Sequence, residues 1–294
     1  MPTLSRFWSI LAVSLSLVGP VCSAASQYSN DPNPEPFFYR KLIADTRVWR
    51  SADGYDQCIK EVKQFQCMNS PWKVLSLRER YEELMANLKT RPMTENFRKL
   101  RNAIPCLMTR ETGNLEPLTV SFKNCDPSVS SASDQGLGQV TFTTFCALLG
   151  LDQREIDDVS RGGKLSVKRA SELNTLTSVA RYNSLAYRQD PWLAFEALSD
   201  DVDYSIDVSL AVLKAKLART EEIYHLTDAA GPAFTWDAQY FTIENYNGSE
   251  TKQKYAHAIM ACKTCLNSNP QDPIPCLGLA LAISNLEDYL PCGN

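Results

Sequence analysis

Hydrophobic residues recur every three or four positions along most of the chain, a spacing that predicts a mainly α-helical protein. In the N-terminal part, this spacing predicts helices over residues 56–65, 75–88 and 97–108. Pro105 should either kink the third helix or begin a new one, because proline is tolerated in a first helical turn but not in a helix interior. Gly113 should then end the helix, since glycine favours helix C-termini.

The second half of the chain continues the helical pattern after a loop-rich stretch at residues 113–139. Further helices are predicted at residues 142–149, 205–219, 236–247, 251–266 and 277–290. The longest of them has an apolar face formed by Ile206, Leu210, Leu213 and Leu217. Such a face is typical of a helix that packs on a hydrophobic core.

The N-terminus has the features of a secretory signal peptide, which we predict at residues 1–24. Arg6 lies in a short basic region, an apolar run follows at residues 7–18, and small residues surround Ala24 at the predicted cleavage site. The run is too short to span a bilayer, and no later apolar stretch reaches that length. We therefore expect a secreted or periplasmic protein without stable membrane insertion. Cys22 would be lipidated only within a lipobox, which the preceding residues do not form.

The cysteines indicate disulfide bonds that staple an existing core. The chain has 10 cysteines, and Cys22 lies in the predicted signal peptide, so an odd number remains. Cys262 and Cys265 form a CxxC pair, which occurs in redox and zinc sites. No second CxxC accompanies the pair and the chain has only 2 histidines, so structural disulfides are favoured and we predict no metal and no cofactor. The odd cysteine would be a free thiol or an intermolecular bridge.

The charge distribution argues against nucleic acid as a partner. The formal net charge is −4, and lysine and arginine form no basic block along the chain. Proteins that bind nucleic acid need clustered cations to neutralise phosphates. We therefore expect no nucleic-acid partner. We also expect the chain to act as a monomer.

Four segments stand in an order that resembles one enzyme superfamily. They read CLMTRETGNLEP, PSVSSASDQGLGQVTFTTF, YSIDVSLAVLKAKL and FTIENYNGSETKQKYAHAIMACKTCL. Their order resembles the lytic transglycosylases and goose-type lysozymes, the family 23 type of glycoside hydrolase. The resemblance implies a lysozyme-like helical domain at residues 94–266, with a small β-hairpin or a loop-rich groove for the glycan. A polar leader at 25–36, a helical extension at 37–93 and a cysteine-rich appendage at 267–294 would flank this domain.

The resemblance gives Glu111 the role of general acid and base. The bond cleaved would be the β-1,4 bond between N-acetylmuramic acid and N-acetylglucosamine of peptidoglycan. Cleavage requires a carboxylic acid that is still protonated near neutral pH. Glu111 follows the apolar residues Leu107 and Met108, and partial burial there should raise its pKa. The alternative is an ordinary solvated glutamate near a helix end.

The segment from Gly136 to Gln139 matches the Gly-Leu-Met-Gln motif of the superfamily, with Gly138 in place of methionine. Glycines let a backbone approach a sugar ring closely, and a glutamine side chain can both donate to and accept from a sugar. The resemblance implies that Gly136, Leu137 and Gln139 bind substrate, and we expect Gly138 to widen the site. The alternative is an ordinary turn.

Four further positions follow the same pattern. Thr112 stands where the family has a serine after the acid, and Ser130 stands at the position of the serine before the motif glycines. Tyr246 and Asn247 match the core of the family's Tyr-Asn motif. Thr112, Ser130 and Asn247 are therefore expected to bind substrate, and Tyr246 to hold the carboxyl and stabilise charge at the reacting centre. The alternatives are a buried structural tyrosine and an N-glycosylation sequon at Asn247.

A second carboxylate distinguishes two product types. Goose-type lysozymes have an aspartate soon after the motif glutamine, where this chain has Thr141. A transglycosylase needs no such group, because the 6-hydroxyl of the sugar itself attacks the reacting carbon. The sequence therefore favours a lytic transglycosylase. A lysozyme-type hydrolase is the alternative, with Glu116, Asp126 or Asp134 as the substitute base.

Two other interpretations remain. The substrate could be de-N-acetylated peptidoglycan, because an acidic protein gains nothing electrostatically from an anionic wall and would suit its amines. The competing class is a non-enzymatic secreted helical protein that binds glycan through a degenerate lysozyme fold. In that class, Glu111 would be exposed and distant from Tyr246.

Overall fold

The computed structural model describes residues 75–115, 134–226, 233–247 and 252–281. Within these residues the chain forms twelve α-helices, which confirms the predicted mainly α class. The helices are α1 (Leu77–Thr90), α2 (Glu95–Leu100), α3 (Ala103–Thr112), α4 (Phe142–Leu148), α5 (Gln153–Ser160), α6 (Val167–Ser171), α7 (Leu185–Gln189), α8 (Pro191–Glu196), α9 (Val202–Ile223), α10 (Trp236–Glu244), α11 (Lys252–Ser268) and α12 (Pro273–Leu281). Two 3-10 turns, Ala180–Asn183 and Ala197–Ser199, complete this set.

Several predicted segments lie outside the described residues. They are the signal peptide at 1–24, the leader at 25–36, the helix at 56–65 and the part of the tail after residue 281. No helix in the described part of the chain is long and apolar enough to cross a membrane.

Reciprocal side-chain caps begin two of the helices. At the start of α1, the Ser76 hydroxyl accepts from the Glu79 N–H while the Glu79 carboxylate accepts from the Ser76 N–H. Asp152 and Glu155 form the same pair at the start of α5. Each pair satisfies backbone amides that the start of a helix leaves without an intrahelical partner.

The predicted helix at 97–108 is in fact two helices, α2 and α3. The chain turns at Arg101 and Asn102, and Pro105 lies in the first turn of α3, where its missing N–H costs no helical bond. Proline therefore restarts the helix and does not kink it. Gly113 ends α3 as predicted, with φ at 79° and its N–H donating to the Thr109 carbonyl at 2.7 Å.

Helix α9 joins two hydrophobic cores. Its predicted face packs in a core with α1–α3 and α10–α12 through the buried side chains of Ile206, Leu210, Leu213 and Leu217. Its other face packs in a second core with α4–α8 through Tyr204, Val208 and Val212. A helix with apolar residues on both faces is typical of a protein interior. Helix α9 therefore contacts the helices of both cores and fixes their positions relative to each other.

Helices α3 and α11 run antiparallel and are joined covalently. Near the start of α3, Asn102 Nδ2 donates to Asn267 Oδ1 at 2.7 Å. One turn further on, Cys106 forms a disulfide with Cys262, with 5.9 Å between their Cα atoms. The bond closes a loop of 156 residues, so it removes many conformations from the unfolded chain. It also fixes the register of α3 against α11.

The CxxC pair is not a redox or zinc pair within the described residues. Cys262 bonds to Cys106, and Cys265 bonds to Cys276 of α12, so each CxxC cysteine has its own partner. This confirms the predicted structural disulfides. Cys146 is a buried free thiol in the core of α4–α8, where burial raises its pKa to about 12.

Two features differ from the sequence-based expectation. Helices α5–α8 were not predicted, because each is only five to eight residues long and offers too few turns for a periodic pattern. The predicted β-hairpin is reduced to one antiparallel bridge between Gln135 and Val140, the only pairing of extended backbone in the described ranges.

Candidate functional site

Glu111 lies in the last turn of α3 and is half-buried. Most of the residues before it in this helix are buried in the core. The Tyr255 hydroxyl, on α11, donates a hydrogen bond to Glu111 Oε1. The pKa of Glu111 is raised to about 7, mainly by burial and to a smaller extent by the charge of Asp134. The Tyr255 hydrogen bond and the charge of Arg110 act in the opposite direction. The carboxyl is therefore poised between its two protonation states at neutral pH.

Tyr255 is the partner that sequence reasoning missed. Its side chain is buried, and burial followed by the charge of Glu111 raises the pKa of the phenol well above 10. The phenol therefore stays protonated and acts as a donor. Its position on α11 is fixed seven residues before Cys262, which is bonded to α3. The only sequence signal for Tyr255 was its place in the last of the four segments, which also contains Tyr246.

The motif at residues 136–139 forms a closed four-residue loop. Gln135 and Val140 exchange two backbone hydrogen bonds across its base, at 3.0 and 2.9 Å. Gly136 has φ at 71°, in the left-handed region that favours glycine. Gln139 also has positive φ, at 43°, and its Nε2 donates to the Gly136 carbonyl at 2.9 Å. The motif is thus a rigid turn, with the half-buried Gln139 side chain folded over it.

Tyr246 reaches this loop from the segment after α10. Its hydroxyl donates to the Gly138 carbonyl at 2.8 Å. A Cβ atom at Gly138 would lie 2.5 Å from both the Tyr246 hydroxyl and Ser209 Oγ. The expectation that Gly138 widens the site is therefore wrong, because the space beside this glycine is filled. Glycine is needed here so that Tyr246 and α9 can approach the loop.

Two predicted substrate-binding side chains are part of the protein interior. Leu137 is 0% exposed and packs in the core, while its N–H donates to Ser205 Oγ at 2.7 Å. Thr112 is 3% exposed, and its hydroxyl donates to the Met108 carbonyl at 2.7 Å. The predicted role of both in contacting a glycan is corrected, since neither side chain is open to a ligand. They hold the loop and the end of α3 in place.

Glu111, Tyr246 and Asp134 form one electrostatic cluster. The pKa of Tyr246 is raised well above 10 by burial, then by the charge of Glu111, then by the charge of Asp134. Asp134 stands directly before the closed loop and is half-buried. The structure thus brings the predicted acid, the predicted tyrosine and one of the three substitute carboxylates together.

Asn247 follows Tyr246 and is half-buried. Ser130, Glu116 and Asp126 lie outside the described residues. Tyr246 packs against both hydrophobic cores, so the cluster lies where the two cores meet. In the described part of the chain, no group of three or more histidine, cysteine or acidic side chains is arranged to hold a metal ion.

Comparison of the chain with protein-family models, with curated proteins and with solved structures finds no match in any of the three. The resemblance to the family 23 glycoside hydrolases therefore rests on the four sequence segments. The chemistry of the site rests on the geometry around Glu111.

Proposed function

We propose that this protein is a secreted enzyme that cleaves the glycan of peptidoglycan, with Glu111 as its general acid and base. The bond is the β-1,4 bond between N-acetylmuramic acid and N-acetylglucosamine. The reaction type is that of a lytic transglycosylase.

One observation carries the proposal: the half-buried carboxyl of Glu111 has a pKa of about 7 and a buried phenol as its hydrogen-bond donor. The ordinary pKa of a solvated glutamate is 4.5, so such a group is almost entirely ionised at neutral pH. Glu111 is instead about half protonated there, which is the state that a general acid needs. Carboxyls whose pKa is raised by burial beside a specific hydrogen-bond partner cluster at catalytic sites. This favours an enzyme over the non-enzymatic alternative.

The same carboxyl can serve both halves of the reaction. Glu111 first donates its proton to the glycosidic oxygen, and the bond from that oxygen to the anomeric carbon breaks. The Glu111 carboxylate then accepts the proton of the 6-hydroxyl of N-acetylmuramic acid as that oxygen bonds to the anomeric carbon. The product is a 1,6-anhydro sugar, and the carboxyl returns to its protonated state. An attacking group on the same sugar avoids the entropic cost of binding a second reactant.

A hydrolase is the second candidate, and Asp134 is the observation that favours it. Its charge acts on both Glu111 and Tyr246, so it is the described carboxylate that the structure associates with this site. In that reaction, Asp134 would remove a proton from the water that attacks the anomeric carbon.

The mass of the products separates the two candidates. Purified peptidoglycan is digested with the full chain and with Asp134→Asn, and the muropeptides are analysed by mass spectrometry. A transglycosylase gives anhydro products, lighter by one water, and Asp134→Asn keeps this product type. Reducing-end products that disappear with Asp134→Asn would make the protein a lysozyme-type hydrolase. A digest without any glycan cleavage would remove both candidates.

A further inference from the structure

A concave pocket of about 440 Å³ lies at the end of α3 that is remote from Glu111. It is lined by three side-chain amides and by four cations, Arg98, Lys99, Arg101 and Lys263; we call this site the basic pocket. Asn102, which also lines it, is nine residues before Glu111, or roughly 13 Å along the helix. The basic pocket is therefore separate from the Glu111 cluster.

The charge of the basic pocket is opposite to that of the protein. The chain has a formal net charge of −4, yet four cationic side chains meet here. Arg98 has an exposed carboxylate neighbour, Glu95, at 3.4 Å. In the described ranges, Lys99, Arg101 and Lys263 form no ion pair. Most of the positive charge in the pocket is therefore not compensated by carboxylates among the described residues.

Two of the cations are held in the wall of the pocket. The Arg101 Nε atom is buried and has no hydrogen-bond partner among the described residues. Lys263 is half-buried, and its Nζ donates to Gln239 Oε1 at 2.6 Å. Burial also lowers the pKa of Lys263. A bound anion would compensate the charges of Arg101 and Lys263.

The N-terminus of α3 adds to the positive potential. Asn102 is the N-cap residue of α3, but its side chain does not cap the helix. Its amide donates instead to Asn267, across the floor between α3 and α11. The positive end of the α3 dipole is therefore not compensated by a side-chain cap, and it lies beside the four cations.

We propose that the basic pocket binds a small ligand that carries two or more phosphate or carboxylate groups. Guanidinium groups recognise both kinds of oxyanion through paired hydrogen bonds, and lysines supply point charges. The volume falls within the usual range of small-molecule sites, about 300–1,000 Å³. The proposal does not depend on the chemistry at Glu111.

Titration calorimetry with the full chain tests this proposal at constant ionic strength. Pyrophosphate is the phosphate probe, tricarballylate is the carboxylate probe, and acetate is the singly charged control. We expect one molar equivalent of pyrophosphate or tricarballylate to bind at least tenfold more tightly than acetate. The tighter of the two identifies the phosphate or the carboxylate class. If neither binds more tightly than acetate, the proposal is overturned.

Variants place the binding site. Arg98→Gln with Lys99→Gln changes two exposed residues and should leave the fold intact, while Lys263→Gln removes the half-buried charge. Each change should weaken binding at least threefold, and all three together at least tenfold. The matched control is Arg161→Gln with Lys168→Gln, two exposed cations, one directly after α5 and one on α6. Equal binding by the triple variant and the control would assign the anion to another surface and contradict the proposal.

Discussion

The Tyr255 hydroxyl donates a hydrogen bond to Glu111 Oε1 and thereby joins the end of α3 to the start of α11. This bond favours the ionised carboxylate, whereas burial favours the protonated acid. The pKa of about 7 is the balance of these opposing effects. The two helices are also bonded through Cys106 and Cys262, so the donor and the acceptor are held together by the fold.

Removing the phenol hydroxyl should shift this balance. Tyr255→Phe deletes the hydrogen bond that lowers the pKa of Glu111, so we expect the pKa to rise above 7. Carboxyl ¹³C NMR of the labelled protein measures the titration directly. Tyr240→Phe is the matched control, because its hydroxyl donates to the Gln253 carbonyl and not to Glu111. A lower Glu111 pKa in Tyr255→Phe than in the control would contradict this account.

The raised pKa of Glu111 makes stability depend on pH. A carboxyl with a pKa of 4.5 in the unfolded chain and about 7 in the folded one stabilises the fold fully below pH 4.5. This contribution is lost as the pH rises through 7, because the buried group then has to ionise. Glu111→Gln keeps the shape and cannot ionise. We expect it to unfold at a higher temperature than the wild type at pH 8, with a difference of up to about 3 kcal/mol in the free energy of unfolding.

Thermal unfolding at pH 5 and pH 8 measures this effect. The advantage of Glu111→Gln should be large at pH 8 and small at pH 5. Glu82→Gln, an exposed glutamate on α1, is the control and should match the wild type at both values. A Glu111→Gln protein that is less stable than the wild type at pH 8 would show that the carboxyl is not desolvated.

Gly138→Ala tests the close approach of Tyr246 to the motif loop. The added Cβ would meet the Tyr246 hydroxyl and Ser209 Oγ at 2.5 Å, so we expect destabilisation of about 1–3 kcal/mol. Gly278→Ala, in α12, is the control, because no atom lies within 4 Å of its new Cβ. A helical glycine replaced by alanine should stabilise by about 0.5–1 kcal/mol. Urea unfolding compares the two; equal effects would mean that Gly138 is not confined.

The two disulfides should differ in their contribution to stability. The Cys106–Cys262 bond closes a loop of 156 residues, and the Cys265–Cys276 bond a loop of 11. In the chain-entropy model a longer loop gives more stabilisation, about 3 kcal/mol for 15 residues and 4.7 for 100. Replacing the first pair with alanines should therefore lower the melting temperature more than replacing the second. The reverse order would show that chain entropy does not govern these bonds.

The sequence predicted the parts of this fold that follow a regular pattern. The apolar face of α9 follows from periodicity, and the end of α3 at Gly113 follows from backbone chemistry. The restart of the helix near Pro105 was one of two effects expected of this proline. Helices α5–α8 could not be predicted in this way, because they are short and are fixed by their caps and by the second core. The identity of one residue and of its neighbours in the sequence does not show whether its side chain is buried in the fold.

The same limit applies to the candidate site. Sequence motifs singled out Glu111 and Tyr246, and the structure places both in one electrostatic cluster. Leu137 looked like a groove residue because its neighbours are glycines, yet those glycines serve the approach of Ser205 and Ser209 from α9. Tyr255 could not be identified from its own surroundings, because its partner lies 144 residues away in the chain.

The rate of glycan cleavage by Glu111→Gln tests the central claim most directly. Purified peptidoglycan is digested with the wild type, with Glu111→Gln and with the control Glu82→Gln, and soluble muropeptides are quantified over time. If the Glu111 carboxyl supplies the proton, the wild type and Glu82→Gln should release muropeptides at equal rates, and Glu111→Gln at least about 100-fold more slowly. A folded Glu111→Gln protein that retains more than a tenth of the wild-type rate would contradict the assignment of Glu111 as the catalytic acid.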